Sequence, residues 1–196
     1  MPLLVVLSGP SGAGKDAVLS RMRDLGYAFH YAVTTTTRPR RAGESDGKDY
    51  TFVTEAEYGR MLRNGELLES AQVYGYWYGV PRQQVKQALD EGRDVILKVD
   101  VQGAAAIRKL LPASVLIFLT LPGTEDYEHR LRRRQTESDA EMKVRLGRVS
   151  EEVSSLDLFD YIVVNHHGKL DESVACICSI ISAEKCRVNH RTVELK

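Results

Sequence analysis

The octapeptide Gly9-Pro10-Ser11-Gly12-Ala13-Gly14-Lys15-Asp16 constrains this chain more than any other feature. It follows the apolar run Leu3 to Leu7, and it precedes Val18, Met22 and Leu25 at helical spacing, with Gly26 placed to end the helix. A short run without polar residues predicts a strand buried on both faces, and the later spacing predicts an amphipathic helix. The strand, tight loop and helix together make the first unit of an α/β fold. The glycines of such a loop let successive backbone N–H groups turn inward at the positive end of the helix, which cradles phosphate. Lys15 then supplies a point charge to the β- and γ-phosphates, so Gly9 through Lys15 predict a nucleoside triphosphate site. One position departs from the G-x-x-x-x-G-K-[ST] pattern. Asp16 stands where a Ser or Thr hydroxyl would touch magnesium. A carboxylate is also a hard oxygen ligand. Asp16 is therefore either a metal ligand or an acid favoured at a helix N-terminus, where it is worth less than about 1 kcal/mol.

The strand–helix alternation returns downstream. Val95 to Val99, Val115 to Leu119 and Tyr161 to Val164 read as strands, Val101 to Leu111 as a helix, and Leu170 to Lys185 as the last helix. Two stretches break the pattern. Thr34 to Arg82 is rich in Thr, Tyr, Gly and Arg. It carries one helix start, the capping box Thr54-Glu55-Ala56-Glu57, among segments that read as short antiparallel strands, Tyr50 to Val53 and Leu67 to Tyr78. Tyr127 to Arg148 reads as a basic helix broken near Gln135-Thr136-Glu137 and restarted by Ser138-Asp139-Ala140-Glu141. The expected fold is therefore three-layer α/β, a parallel sheet of about five strands between helices, carrying two insertions. In such folds the ligand cleft lies beyond the carboxyl ends of the strands.

Composition adds exclusions. Lys+Arg and Asp+Glu are 27 each, so no global field favours nucleic acid or a membrane surface, and an anion site has to be local. The three cysteines, Cys176, Cys178 and Cys186, are odd in number and clustered late, as suits reduced thiols. With His166, His167 and His190 nearby they still lack the paired knuckle spacing of a zinc site. No signal peptide precedes the first strand, and no apolar run reaches the ~20 residues of a membrane span. The expectation is a cytoplasmic protein with no nucleic-acid or membrane partner.

The second substrate is written in Thr34-Thr35-Thr36-Thr37-Arg38-Pro39-Arg40-Arg41-Ala42-Gly43-Glu44, followed by Asp46-Gly47-Lys48-Asp49-Tyr50-Thr51-Phe52-Val53. Arginines among hydroxyl residues make a fork for a phosphate dianion, because guanidinium planes pair with its oxygens bidentately. This pattern, T-T-R-x-x-R-x-G-E and then G-x-D-Y-x-F, resembles the guanylate kinase family. The resemblance continues through Gly65-Glu66-Leu67-Leu68-Glu69, Tyr74-Gly75-Tyr76-Trp77-Tyr78-Gly79, Asp100-Val101-Gln102-Gly103, Arg130 to Ser138 and Asp160 to Asn165, in order from Leu3 to Lys185.

That resemblance implies transfer of the γ-phosphoryl group of ATP to GMP, in one domain. The core would be 1–33, 83–124 and 147–196, the GMP-binding insertion 34–82, and the lid 125–146. It implies that Thr34 lies near the guanine, that Arg38, Arg41, Tyr50 and Tyr78 grip the GMP phosphate, and that the Glu69 carboxylate reads the base. A carboxylate can accept from guanine N1–H and N2–H, a donor pair adenine lacks, and a site built on such bonds rejects the wrong base by about 10⁴-fold or more. Arg130, Arg134 and Arg145 match the lid arginines, and Arg130 and Arg134 fall on one helical face. With Lys15 and Arg38 they would stabilise charge on the migrating phosphoryl group. Asn165 completes the implied ATP site, and no general base is needed. Magnesium is the implied cofactor, with Asp16 and Asp100 as its candidate ligands, and Asp100 serves GMP equally well. Val80 stands where the family usually has a hydroxyl, which removes one hydrogen bond to guanine. Lys98 stands where members often carry an acid, and the sequence does not explain it. A kinase of another phosphorylated acceptor, of the ribose bisphosphate type, and a guanylate-kinase-like binding module are the alternative readings. The sequence leaves open whether the chain is a monomer or a homo-oligomer.

Overall fold

The computed structural model describes residues 1–133 and 147–195. Five strands form one sheet: β1 (Leu4–Ser8), β2 (His30–Tyr31), β7 (Val95–Lys98), β8 (Val115–Thr120) and β9 (Tyr161–Val164), in the order β2-β7-β1-β8-β9. β2 pairs with β7 and β8 with β9 in parallel. Every residue of β1 and β8 is buried, as their unbroken apolar runs require of strands covered on both faces. The architecture is thus α/β around a central parallel sheet. The chain divides into two compact units, and the division falls within β1, between Val5 and Val6.

One unit comprises Met1–Val5, Phe29–Ser114 and Arg191–Lys196. It carries a second sheet, β4-β3-β6-β5, built from β3 (Thr35–Thr36), β4 (Thr51–Phe52), β5 (Leu67–Val73) and β6 (Tyr76–Pro81). β5 and β6 form the expected antiparallel pair. β4 differs from expectation because it pairs with β3 in parallel. The reason is length: a parallel pair needs a crossover of about a dozen residues or more, and segment 37–50 supplies one. β2 and β3, at two residues each, are too short to show a period in the sequence.

Helix α2 (Glu55–Arg63) starts where the capping box predicts, with the Thr54 hydroxyl accepting from the Glu57 N–H at 3.2 Å. It anchors the small sheet through Tyr58. That ring is buried and stacks on Trp77 at 5.9 Å, and its hydroxyl bonds Ser70 Oγ at 2.7 Å and the Tyr78 carbonyl at 2.8 Å. Helix α3 (Arg82–Asp90) was not anticipated from the sequence, and it buries Val85, Ala88 and Leu89. In α4 (Val101–Leu110), Asp100 is the N-cap, its Oδ1 accepting from Gly103 N–H at 2.9 Å.

The other unit is Val6–Ala28 with Val115–His190. α1 (Lys15–Asp24) buries Val18, Leu19 and Met22, and Gly26 follows it at φ 78° as a left-handed terminator. α5 (Thr124–Arg133) is tied to the end of β8 by Tyr127, whose buried hydroxyl bonds Thr120 Oγ1 at 2.9 Å and accepts from Leu121 N–H at 3.0 Å. α6 (Leu170–Lys185) closes the unit with the bounds the sequence predicts. Most of the expected lid, including the Ser138 capping box, lies outside the described residues. No helix among them is long and apolar enough to cross a membrane.

Candidate functional site

The donor half lies in the second unit. Between β1 and α1 the glycine loop folds so closely on β8 that a Cβ on Gly9, at φ 135°, would stand 2.0 Å from the Leu119 carbonyl oxygen. Only glycine fits there. Pro10, Gly12 and Ala13 are buried, Ser11 is half-buried, and Gly14 is the N-cap of α1 in the left-handed region. The ammonium of Lys15 turns back into the loop and donates to the carbonyls of Gly9 and Pro10. A phosphate entering the loop would offer it stronger, charged acceptors. Asp16 is exposed in the first turn of α1.

Three of the predicted donor-site residues meet at one carbonyl. Asn165 Nδ2 donates to Ala13 O at 2.8 Å, Arg130 Nη1 donates to the same oxygen at 3.3 Å, and Arg130 Nη2 reaches Asn165 O at 3.0 Å. Ser173 Oγ donates to Asn165 Oδ1 at 3.2 Å, which fixes the amide orientation. Tyr127 stands three residues before Arg130, hence on the same helical face, and its anchored ring sets where the arginine emerges. Arg134 and Arg145 lie outside the described residues.

The acceptor half lies wholly in the first unit and is built from side chains. Arg38 is only 6% exposed. Its Nη2 donates to Glu44 Oε1 at 2.7 Å and its Nη1 to Pro39 O at 2.6 Å. Tyr50 and Phe52 lie 5.4 and 5.8 Å from the guanidinium carbon. The other oxygen of Glu44 accepts from the Arg41 backbone N–H at 2.8 Å, so one carboxylate holds the Arg38 guanidinium and the Arg41 backbone. Hydrogen bonds from Arg38 and Arg41 hold Glu44 below the usual carboxylate range against the upward push of its own burial. Tyr50 packs edge-on to Tyr78 at 6.1 Å. Thr34 is buried, and its hydroxyl donates to Lys98 O at 3.3 Å.

Glu69 is also 6% exposed, not the surface acid that a strand-edge position would suggest. A register shift between Leu67 and Glu69 interrupts the β5–β6 ladder, and bulges of this kind re-aim a side chain. The carboxylate lies against the start of α4, where a Cβ on Gly103 would stand 2.9 Å from Glu69 Oε2 and 3.2 Å from Asp100 Oδ1. Burial pushes the Glu69 carboxyl up to about 8, the charge of Asp100 adds to the rise, and a hydrogen bond from Val80 N–H offsets part of it. Val80 is fully buried opposite Glu69, so its backbone, not its side chain, serves the carboxylate.

The structure thus gathers Thr34, Arg38, Arg41, Tyr50, Glu69, Tyr78, Val80 and Asp100 into one unit, and Lys15, Asp16, Arg130 and Asn165 into the other. Sequence reading gave no role to Glu44, although it sits inside the arginine motif, nor to Tyr58, whose spacing in α2 carries no chemical signal.

A glycine loop between a buried strand and a helix of a parallel α/β sheet defines a P-loop nucleotide-binding protein. The family model described as guanylate kinase matches residues 1–184. "Guanylate kinase 2, chloroplastic/mitochondrial" of Oryza sativa subsp. japonica is 45% identical over 195 residues, covering 99% of this chain and 68% of the relative. The guanylate kinase of Lactococcus lactis subsp. lactis is 43% identical over 192 residues, covering 98% and 92%. The crystal structure of guanylate kinase from Anaplasma phagocytophilum aligns with a TM-score of 0.76 at 32% identity, covering 95% of this chain and 88% of that one. The chain belongs to the guanylate kinase family.

Proposed function

We propose that this chain is an ATP-dependent nucleoside monophosphate kinase that converts ATP and GMP to ADP and GDP. An oxygen of the GMP phosphate attacks the γ-phosphorus, and the bond from that phosphorus to the β–γ bridging oxygen breaks. The observation that carries the acceptor's identity is the Glu69 carboxyl, 6% exposed and set beside Asp100 at the start of α4. Guanine N1–H and N2–H would satisfy that group as a carboxylate, whereas adenine would leave it buried against an acceptor nitrogen.

The remaining roles follow from the same chemistry. Arg38, oriented by Glu44, and Arg41 bind the GMP phosphate with Tyr50 and Tyr78, and Thr34 lies at the base. Lys15 leaves the loop carbonyls for the β- and γ-phosphates, while the loop N–H groups hold the ATP phosphates. Arg130, with Arg134 and Arg145 as its partners in the lid, places positive charge on the migrating group. We assign residues 34–82 to the acceptor-binding insertion and 125–146 to the lid, on a core of 1–33, 83–124 and 147–196.

Magnesium would neutralise phosphate charge. It usually keeps several waters and takes one or two carboxylates together with substrate phosphates. Asp16, an exposed hard-oxygen donor one residue beyond Lys15, fits that demand. Asp100 already caps α4 through Oδ1, so its contribution would be through water or to GMP. The thiols of Cys176, Cys178 and Cys186, all outside disulfides, support a reducing, cytoplasmic setting.

The test is ADP release across GMP, dGMP, AMP, CMP, UMP and dTMP. Fast turnover with GMP, slower with dGMP and almost none with the others is expected. Comparable rates with AMP or dTMP would overturn the assignment, and no turnover with any of them would favour a binding module.

A further inference from the structure

Lys98 ends β7, after Val95, Ile96 and Leu97, all of them buried. Its stem is half-buried, and its ammonium lies over the ring of Tyr50, 4.0 Å from the centroid. That is well inside the ~6 Å range over which a ring face attracts a cation. The same ring has the Arg38 guanidinium carbon 5.4 Å away and Tyr78 edge-on at 6.1 Å. The Lys98 carbonyl receives the hydroxyl of Thr34. One lysine is therefore in contact with a tyrosine and a threonine of the acceptor half, at the strand end where α/β folds bind ligands.

Charge gives the position its meaning. Arg38 is joined to Glu44 at 2.7 Å, so that pair brings little net charge to a phosphate carrying close to two negative charges at neutral pH. Arg41 adds a guanidinium, and the Lys98 ammonium, on a long, rotatable stem, lies on the face of Tyr50 beside them. A cation on a phenol face also draws electron density from the ring, which makes the hydroxyl a better hydrogen-bond donor.

We propose that Lys98 is a further acceptor-binding residue, whose ammonium on the face of Tyr50 recognises the phosphate of the nucleoside monophosphate together with Arg38 and Arg41. This rests on the GMP reading above and adds a residue to it. A lysine that only packs on Tyr50 would matter equally to a phosphorylated and an unphosphorylated ligand. A lysine that reads phosphate would matter only to the first.

The experiment compares GMP and guanosine affinity, measured by calorimetry on the full chain, for the unaltered protein, Lys98→Met, Lys98→Arg and Lys98→Glu. For Lys98→Met we expect GMP to weaken about fivefold or more, in line with loss of a charge-assisted contact, with guanosine unchanged within about twofold. Lys98→Arg should retain most of the GMP affinity, and Lys98→Glu should bind GMP more weakly than Lys98→Met. Equal weakening of GMP and guanosine, or no change in either, would overturn the proposal. Failure of the GMP reading itself is seen separately, as absence of GMP turnover by the unaltered chain.

Discussion

The donor and acceptor halves are built in opposite ways. The donor half is mostly backbone: glycines, inward N–H groups and the Ala13 carbonyl shared by Asn165 and Arg130. The Lys15 ammonium is turned into its own loop. The acceptor half is mostly side chains, held before substrate arrives by Glu44, Pro39 and edge-on rings. A backbone site recognises what all nucleoside triphosphates share. A side-chain site can be specific, and the proposed specificity rests on a carboxyl buried against its ordinary preference for water.

Two glycine substitutions should break the halves differently, with the largest effects in the molecule. Gly9→Ala drives a Cβ to 2.0 Å from a backbone oxygen in β8, where no side chain can give way. We expect a strongly destabilised fold, read as a thermal unfolding midpoint lowered by more than about 10 °C, roughly what a few kcal/mol does to a domain of this size. Gly103→Ala meets Glu69 Oε2 at 2.9 Å and Asp100 Oδ1 at 3.2 Å, side-chain ends that can move, and Val99 Cβ at 3.0 Å, which has to give by a few tenths of an ångström. The fold should survive while GMP turnover falls at least tenfold and ATP affinity holds.

The next effect is on stability. Free carboxyls near 4.5 lose their proton below neutrality, whereas native Glu69 keeps its proton to about 8. Between those values the unfolded chain has released a proton that the native chain still holds, so stability declines as pH rises through that window. Glu69→Gln removes the dependence. At pH 9 in metal-free buffer the variant should be more stable than the unaltered chain by about 2–5 kcal/mol, measured by denaturant unfolding.

Arg38→Ala and Arg41→Ala should each raise the KM for GMP at least tenfold, the loss of charge-assisted bonds worth about 1.5–3 kcal/mol, and leave nucleotide affinity at the donor half unchanged. Glu44→Ala should reproduce the Arg38 effect without touching either arginine. Equal loss of ATP binding would show that this network holds the fold and not the acceptor. The smallest effect is expected at Asp16. Asp16→Ser should stay active with a shifted magnesium dependence, and superimposable magnesium curves would leave Asp16 as a helix-start acid.

The same contrast explains what could be read from sequence. The donor loop is local: eight consecutive residues specify its glycines and its lysine, and the apolar run just before and the helical spacing just after specify the flanking strand and helix. The bounds of α6 and the Thr54 cap were legible for the same reason, because period and capping act within one or two turns. The acceptor residues could be named by resemblance, but their arrangement could not be read. Glu69 turns inward because of a bulge in the β5–β6 ladder, and Lys98 meets Tyr50 across 48 positions of chain. The β3–β4 pairing was misread because a two-residue strand carries no period, and its direction depends on the long crossover between the two.

The role proposed for the Glu69 carboxylate is to read guanine. Its most direct test is the ratio of kcat/KM for GMP over IMP, which lacks only the N2 amine. The unaltered chain should prefer GMP by about 100-fold or more, as a buried acceptor left unpaired requires. In Glu69→Gln, which loses the carboxylate, GMP should fall far more than IMP and the ratio should shrink toward one. A ratio that stays the same in the variant would contradict the claim.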